Sequence, residues 1–157
     1  MIGAYVEGIM NSILVPSYIE SDYPELFEEL EQLESNEFQV GHFNPFDTSF
    51  TYQKSTGRRI EYFEGDLRVS FIDLQTDLDQ PTEDMRTQLN DLESFCHNFV
   101  SQVENSVEYQ NALGNLSERP KLKYRITKGR NKFDNICIIN ELTILGLRLD
   151  FDLTYCV

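Results

Sequence analysis

The chain lacks the features by which most small proteins announce a chemistry. Its three cysteines, Cys96, Cys137 and Cys156, are far apart and odd in number, and no C-x-x-C occurs. That excludes a disulfide framework and the paired-cysteine zinc and redox motifs, and leaves reduced, hydrophobe-like thiols in a chain made in the cytosol. No apolar run is long enough to span a bilayer. The opening M-I-G-A-Y-V-E-G-I-M has no basic residue and carries Glu7, so it does not read as a secretory signal, and Ile2 stands where a myristoylation site needs glycine. No lysine or arginine occurs before Lys54. G-x-x-x-x-G-K, G-x-G-x-x-G, H-E-x-x-H and G-x-S-x-G are all missing, so no phosphate loop, dinucleotide fingerprint, zinc-protease helix or nucleophile elbow is expected.

At 157 residues and 40% hydrophobic content the chain is expected to be a single domain over 1–157 with a proper core. The formal net charge of −14 makes specific nucleic-acid binding a poor expectation, because the field repels phosphate.

The clearest pattern lies at the C-terminus. Leu145, Leu147, Leu149, Phe151, Leu153, Tyr155 and Val157 alternate with Gly146, Arg148, Asp150, Asp152, Thr154 and Cys156. This period of two predicts a half-buried antiparallel strand, with Gly146 expected to mark a bulge or bend.

Toward the N-terminus, residues 6–15 are apolar enough for a short helix or docking arm. In S-D-Y-P-E-L-F-E-E-L-E-Q-L-E-S, Ser21 or Asp22 can cap a helix and Pro24 suits its first turn. The acids Glu25, Glu28 and Glu29 favour its positive end, and Leu26, Phe27, Leu30 and Leu33 form its inward stripe. F-Q-V-G-H-F followed by N-P-F-D predicts a strand and a turn. S-F-T-Y-Q and R-R-I-E-Y-F predict a hairpin turning at Gly57, and Glu64-Gly65-Asp66 reads as a second turn. Beyond it Leu67, Val69 and Phe71 alternate with Arg68 and Ser70, and Ile72 breaks the alternation.

Met85, Leu89, Leu92, Cys96, Phe99 and Val103 recur at spacings of three and four, one face of a helix of about six turns. Phe95 and Val100 widen that face, as suits a helix lying across a sheet. Residues 105–116 are polar, with Gly114 as a stop. Leu122, Tyr124 and Ile126 alternate with Lys121, Lys123 and Arg125 in a further strand. A turn over 128–132 and a strand starting at 135–141 complete the order. The expected class is α+β: a mainly antiparallel sheet with one long helix on its apolar face, built from 37–157, and an acidic N-terminal helical arm over 1–36.

Candidate chemistry is sparse. Asp73, Asp77 and Asp79 lack the spacing and glycine of a calcium loop. Asp150 and Asp152 share a strand face and could work as an acid/base pair, or be a wet face with Arg148 as ion-pair partner. Cys96 lies on the apolar stripe, and His97 diverges from it by about 100°, so a buried thiol is favoured over a nucleophile. No enzyme activity, cofactor or metal is expected.

Charge is more informative. Residues 1–53 hold ten acids (Glu7, Glu20, Asp22, Glu25, Glu28, Glu29, Glu31, Glu34, Glu37, Asp47) and no base. Arg119, Lys121, Lys123, Arg125, Lys128, Arg130 and Lys132 are seven bases with no acid between them. Such poles can bridge within one subunit, meet between copies of the chain, or, less readily in a negative field, bind phosphate.

R-V-S-F-I-D-L, a short acidic loop, the helix E-D-M-R-T-Q-L-N-D-L-E-S-F-C-H-N-F-V-S-Q-V, N-K-F-D-N and the terminal G-L-R-L-D-F-D-L-T-Y-C-V resemble small neck and tail-completion proteins of tailed bacteriophages, tail-terminator-like connectors, nearest to those of crAss-like phages of Bacteroidota. The likeness covers roughly residues 60–157. It implies a virion protein made in the bacterial host cytoplasm, assembling as a homo-oligomeric ring with portal or other neck and tail proteins as partners and no membrane. With the charge pattern, it makes the seven bases and Glu25, Glu28 and Glu29 the expected contact residues. The alternative is a small acidic intracellular binding protein, such as an immunity or anti-defence factor.

Overall fold

The computed structural model describes residues 2–54, 61–74, 82–113, 122–128 and 144–156. They form an α+β fold in which helices pack on a mostly antiparallel six-stranded sheet.

The sheet is built around its two longest strands, β4 (Glu61–Leu74) and β6 (Ile144–Cys156), paired antiparallel along their whole length from Tyr62↔Cys156 to Leu74↔Ile144. Strand β5 (Tyr124–Lys128) lines the other side of β6. Two short strands share the far side of β4. Strand β2 (Val40–Phe43) pairs with its C-terminal end, and β3 (Phe50–Lys54) pairs with its N-terminal end as the predicted hairpin. The Gly57 turn lies outside the described residues. Strand β1 (Ser17–Glu20) joins β2 in the only parallel pairing among the described strands. Nothing in the sequence anticipated β1, which is four residues long and shows no full alternation.

Leu67, Val69 and Phe71 of β4 and Leu147, Leu149, Phe151 and Leu153 of β6 stand on one face as cross-strand neighbours. Helix α3 (Thr82–Asn105) lies over them with Leu92, Cys96, Phe99 and Val103 fully buried. The predicted stripe is this face, although Met85 and Leu89 near its start are half-buried. Phe71 stacks on Phe95 and meets Phe99 edge-on, the offset geometries that aromatic pairs favour. After α3 the polar stretch is a helix, α4 (Val107–Leu113), anchored by buried Tyr109. Gly114 lies outside the described residues.

Helix α1 (Ile2–Ser12) docks on the rest of the fold. It starts earlier than the apolar run suggested and packs Tyr5, Val6, Ile9 and Met10 into the same core as α3. It ends with Leu14 in the left-handed region (φ 62°), with Leu14 N–H donating to the Asn11 carbonyl and Val15 N–H to the Met10 carbonyl. This is the usual helix stop, with leucine where glycine is favoured. Gly41 makes room for the join. A β-carbon there would lie 2.6 Å from Met10 Sδ and 3.4 Å from Val15 Cγ1.

The opposite face of the sheet is covered over part of its area. Helix α2 (Tyr23–Gln32) is capped as expected by Asp22, whose Oδ1 accepts from Glu25 N–H at 2.9 Å, with Pro24 in the first turn. It buries Leu26 and Leu30 against Ile19, Val40, Ile72 and Ile144. Ile72 therefore does not break the alternation. It obeys it, pointing to the second core that α2 creates. Two further expectations are corrected. Gly65 sits inside β4 opposite Phe50 and marks no turn, and Gly146 pairs in unbroken register with Ile72, so β6 has no bulge there. The strand expected from 135 onward lies outside the described residues.

Candidate functional site

Beyond the area roofed by α2, the outer face of the sheet is charged. Alternation puts Asp66 and Arg68 of β4, Arg148, Asp150 and Asp152 of β6 and Arg125 of β5 on this face, and the antiparallel register makes them neighbours: Arg68 and Arg125 flank Asp150, and Asp66 is opposite Asp152. Together with Lys123 they line an open concavity of about 380 Å³.

Asp150 is its brace. Its Oδ2 accepts from Arg148 Nε at 2.9 Å, and its Oδ1 lies 3.1 Å from Arg68 Nε. That second contact is an ion pair without hydrogen-bond alignment, so the buried Oδ1 receives no aligned donor. Arg68 also reaches Asp47 at 3.9 Å, and Asp47 accepts a hydrogen bond from Tyr23 Oη at 3.3 Å. A chain of polar contacts thus runs from the start of α2 to the middle of the sheet. Carboxylate and guanidinium are both only partly exposed, where an ion pair is worth more than on open surface but also costs more to desolvate.

The ion-pair reading of Asp150 with Arg148 is therefore the observed one. Asp152 pairs with Asp66 across the strands. The hydrogen bond between the two carboxyls, and their mutual repulsion, push the Asp152 carboxyl above its ordinary range. Sequence periodicity put Arg68, Arg148, Asp150 and Asp152 on the wet face, while Asp66 fell in an expected turn; only register could pair Asp66 with Asp152 or bring Arg68 to Asp150.

The predicted contact residues divide as follows. Lys123 and Arg125 are exposed and make no ion pair among the described residues. Lys128 closes β5, opposite Leu147; Arg119, Lys121, Arg130 and Lys132 lie outside the described residues. On α2, Glu25 and Glu28 are exposed and Glu29 is half-buried. None of the three pairs with a base among the described residues. α2 follows β1 at one edge of the sheet, and β5 forms the other edge.

His42 is buried, its Nε2 2.9 Å from the Ser21 carbonyl, which accepts the proton, and 3.4 Å from Ser21 Oγ. Burial pushes its imidazole below the ordinary value, against the opposing pull of the Ser21 carbonyl and Asp22. Asp73 accepts from its neighbour Leu74 N–H and from Gln88 of α3, and burial raises its carboxyl. Cys96 is buried, as expected. His97 turns away from it, with Nδ1 2.7 Å from Tyr124 Oη of β5 and Nε2 3.6 Å from Glu93. Among the described residues no cluster of His, Cys, Asp and Glu could hold a metal. Asp77 and Asp79 lie outside them. Among those residues, too, no helix is long and apolar enough to cross a membrane.

Compared with protein-family models and with curated proteins, the chain matches none.

Proposed function

We propose that the protein is a virion structural subunit of a tailed phage, assembling with copies of itself as a ring in the neck or upper tail and acting through subunit and ring-to-ring contacts. The observation that carries this reading is uncompensated charge of opposite sign on one compact unit. Glu25 and Glu28 on α2 and Lys123 and Arg125 on or beside β5 are exposed without ionic partners among the described residues. Within α2 the acids are spaced three and four apart, where like charges repel by a few tenths of a kcal/mol per pair. A basic surface on a neighbour relieves that repulsion. The resemblance of residues 60–157 to neck and tail-completion proteins points the same way.

The test has two parts. Native mass spectrometry of the purified protein should give a closed oligomer, and mass spectrometry of purified phage particles should find the chain among the virion proteins. Reversing Lys121, Lys123 and Arg125 to Glu in the phage should stop particle assembly. Normal particles from that variant, or particles without the chain, would overturn the reading.

A further inference from the structure

We infer that the concavity on the outer face of the sheet is a socket for acidic side chains of α2 from a second copy of the chain. This rests on the self-assembly reading above and deepens it by naming the contact.

Three observations converge on the socket. First, Asp150 takes its two arginines through Nε. The Nη end of Arg148 makes no hydrogen bond among the described residues, and that of Arg68 reaches only as far as Asp47 at 3.9 Å. Guanidinium donors are thus held in place by a carboxylate behind them and left unused in front, the arrangement that receives a carboxylate in forked geometry. Second, Arg125 and Lys123 add two further cations at the wall of the same concavity. In a chain of net charge −14, four bases converge on one hollow of about 380 Å³. Third, the complementary shape lies on the same face. α2 stands on the outer side of the sheet over Ile19, Val40 and Ile72 and turns Glu25 and Glu28 to solvent. Ridge and hollow lie side by side, so one copy's ridge can enter another's hollow while its own hollow receives a ridge. Asp66 and Asp152 at the hollow's acidic side limit how far a carboxylate can penetrate there and favour approach from the Arg125 side.

Two subunits of this charge repel at a distance, but that repulsion decays over about 8 Å at 0.15 M ionic strength, whereas groups meeting in the hollow are in contact. Association is therefore to be measured near physiological salt.

The experiment compares Arg125→Glu, Glu28→Arg and, as a control with the same charge change as Arg125→Glu, Arg86→Glu on the exposed side of α3, using native mass spectrometry and sedimentation. Arg125→Glu and Glu28→Arg should each weaken association at least about tenfold. An equimolar mixture of the two should restore it, since each then offers the other a matched pair, and Arg86→Glu should behave as wild type. Circular dichroism checks that each variant is folded. If wild type assembles and Arg125→Glu assembles equally well, or the mixture fails to restore what the single variants lose, the socket is overturned and self-assembly stands. If wild type stops at a dimer that these variants disrupt and the mixture restores, the socket stands and the ring is overturned. A wild-type chain that is monomeric alone and in purified particles overturns both.

Discussion

Adding the same methyl group at Gly65 and at Gly8 should move stability in opposite directions. Gly65 lies in β4 opposite Phe50. A β-carbon there would overlap the Ser49 carbonyl oxygen and stand 2.7 Å from Phe50 Cδ1 and 3.0 Å from Phe50 Cα. The ring can turn away; the carbonyl and Cα move only if β3 moves, and Phe50 is packed against the main core. Overpacking of this kind costs about 1–3 kcal/mol. Alanine's advantage over glycine in a strand, about 0.5–1 kcal/mol, offsets part of that. Gly65→Ala should therefore destabilise by about 1–2 kcal/mol, near the upper end because the obstacle is backbone. Gly8 lies within α1 with nothing inside 4 Å of a β-carbon. Gly8→Ala should stabilise by about 0.8–1 kcal/mol through helix propensity alone. At this chain length each kcal/mol shifts the melting temperature by about 2–4 °C. Thermal and urea unfolding followed by far-ultraviolet circular dichroism, with coincident probes to check two-state behaviour, would resolve both shifts. A Gly65→Ala protein as stable as wild type would refute the seating of β3 on β4. A destabilised Gly8→Ala would mean that the cleft of about 290 Å³ beside Gly8, between α1 and the α3–α4 junction, is filled in solution.

Leu14→Gly should stabilise by about 1 kcal/mol, because leucine at positive φ costs about 1–2 kcal/mol and glycine loses only part of that gain to its freer unfolded chain. Leu14 is 81% exposed, so little packing is lost; an unchanged urea midpoint would show that its side chain stabilises the fold. Protonation of His42 should be coupled to unfolding. Its folded-state pKa is lowered by burial, so below pH 6.5 the unfolded chain takes up a proton that the folded one resists. Stability should then fall by up to about 1.4 kcal/mol per pH unit until the folded pKa is reached. Urea titrations between pH 7 and 5.5 should show this slope in wild type and lose it in His42→Gln; an equal slope in both would assign the proton elsewhere. Asp152 works in the opposite sense. The Asp66 carboxyl beside it raises its folded-state pKa, which favours the folded chain as pH falls through it, and Asp152→Asn should remove that contribution in titrations at lower pH.

Pattern in the sequence determined the local structure where burial has one dominant direction. The period-two alternation of β6, the three-four stripe of α3 and the Asp22–Pro24 start of α2 each follow from one side facing the core, and each is observed. Where two cores compete, the pattern misled. Ile72 looked like a fault in alternation because nothing local reveals that α2 covers the far side of β4. Gly65 looked like a turn because a glycine that lets another strand approach closely has the same composition as one that bends the chain. Strand β1 is too short to show a period. Sequence also determined which charged residues face water and that acid and base are segregated along the chain. Only the tertiary structure decided that Arg68, Arg125, Arg148 and Asp150 meet in one hollow, and that Asp152 meets Asp66 and not Asp150. The reason is physical: alternation fixes the face on which a side chain stands. Its neighbours on that face depend on register between strands far apart in the chain, which the long-range packing of β4 against β6 sets.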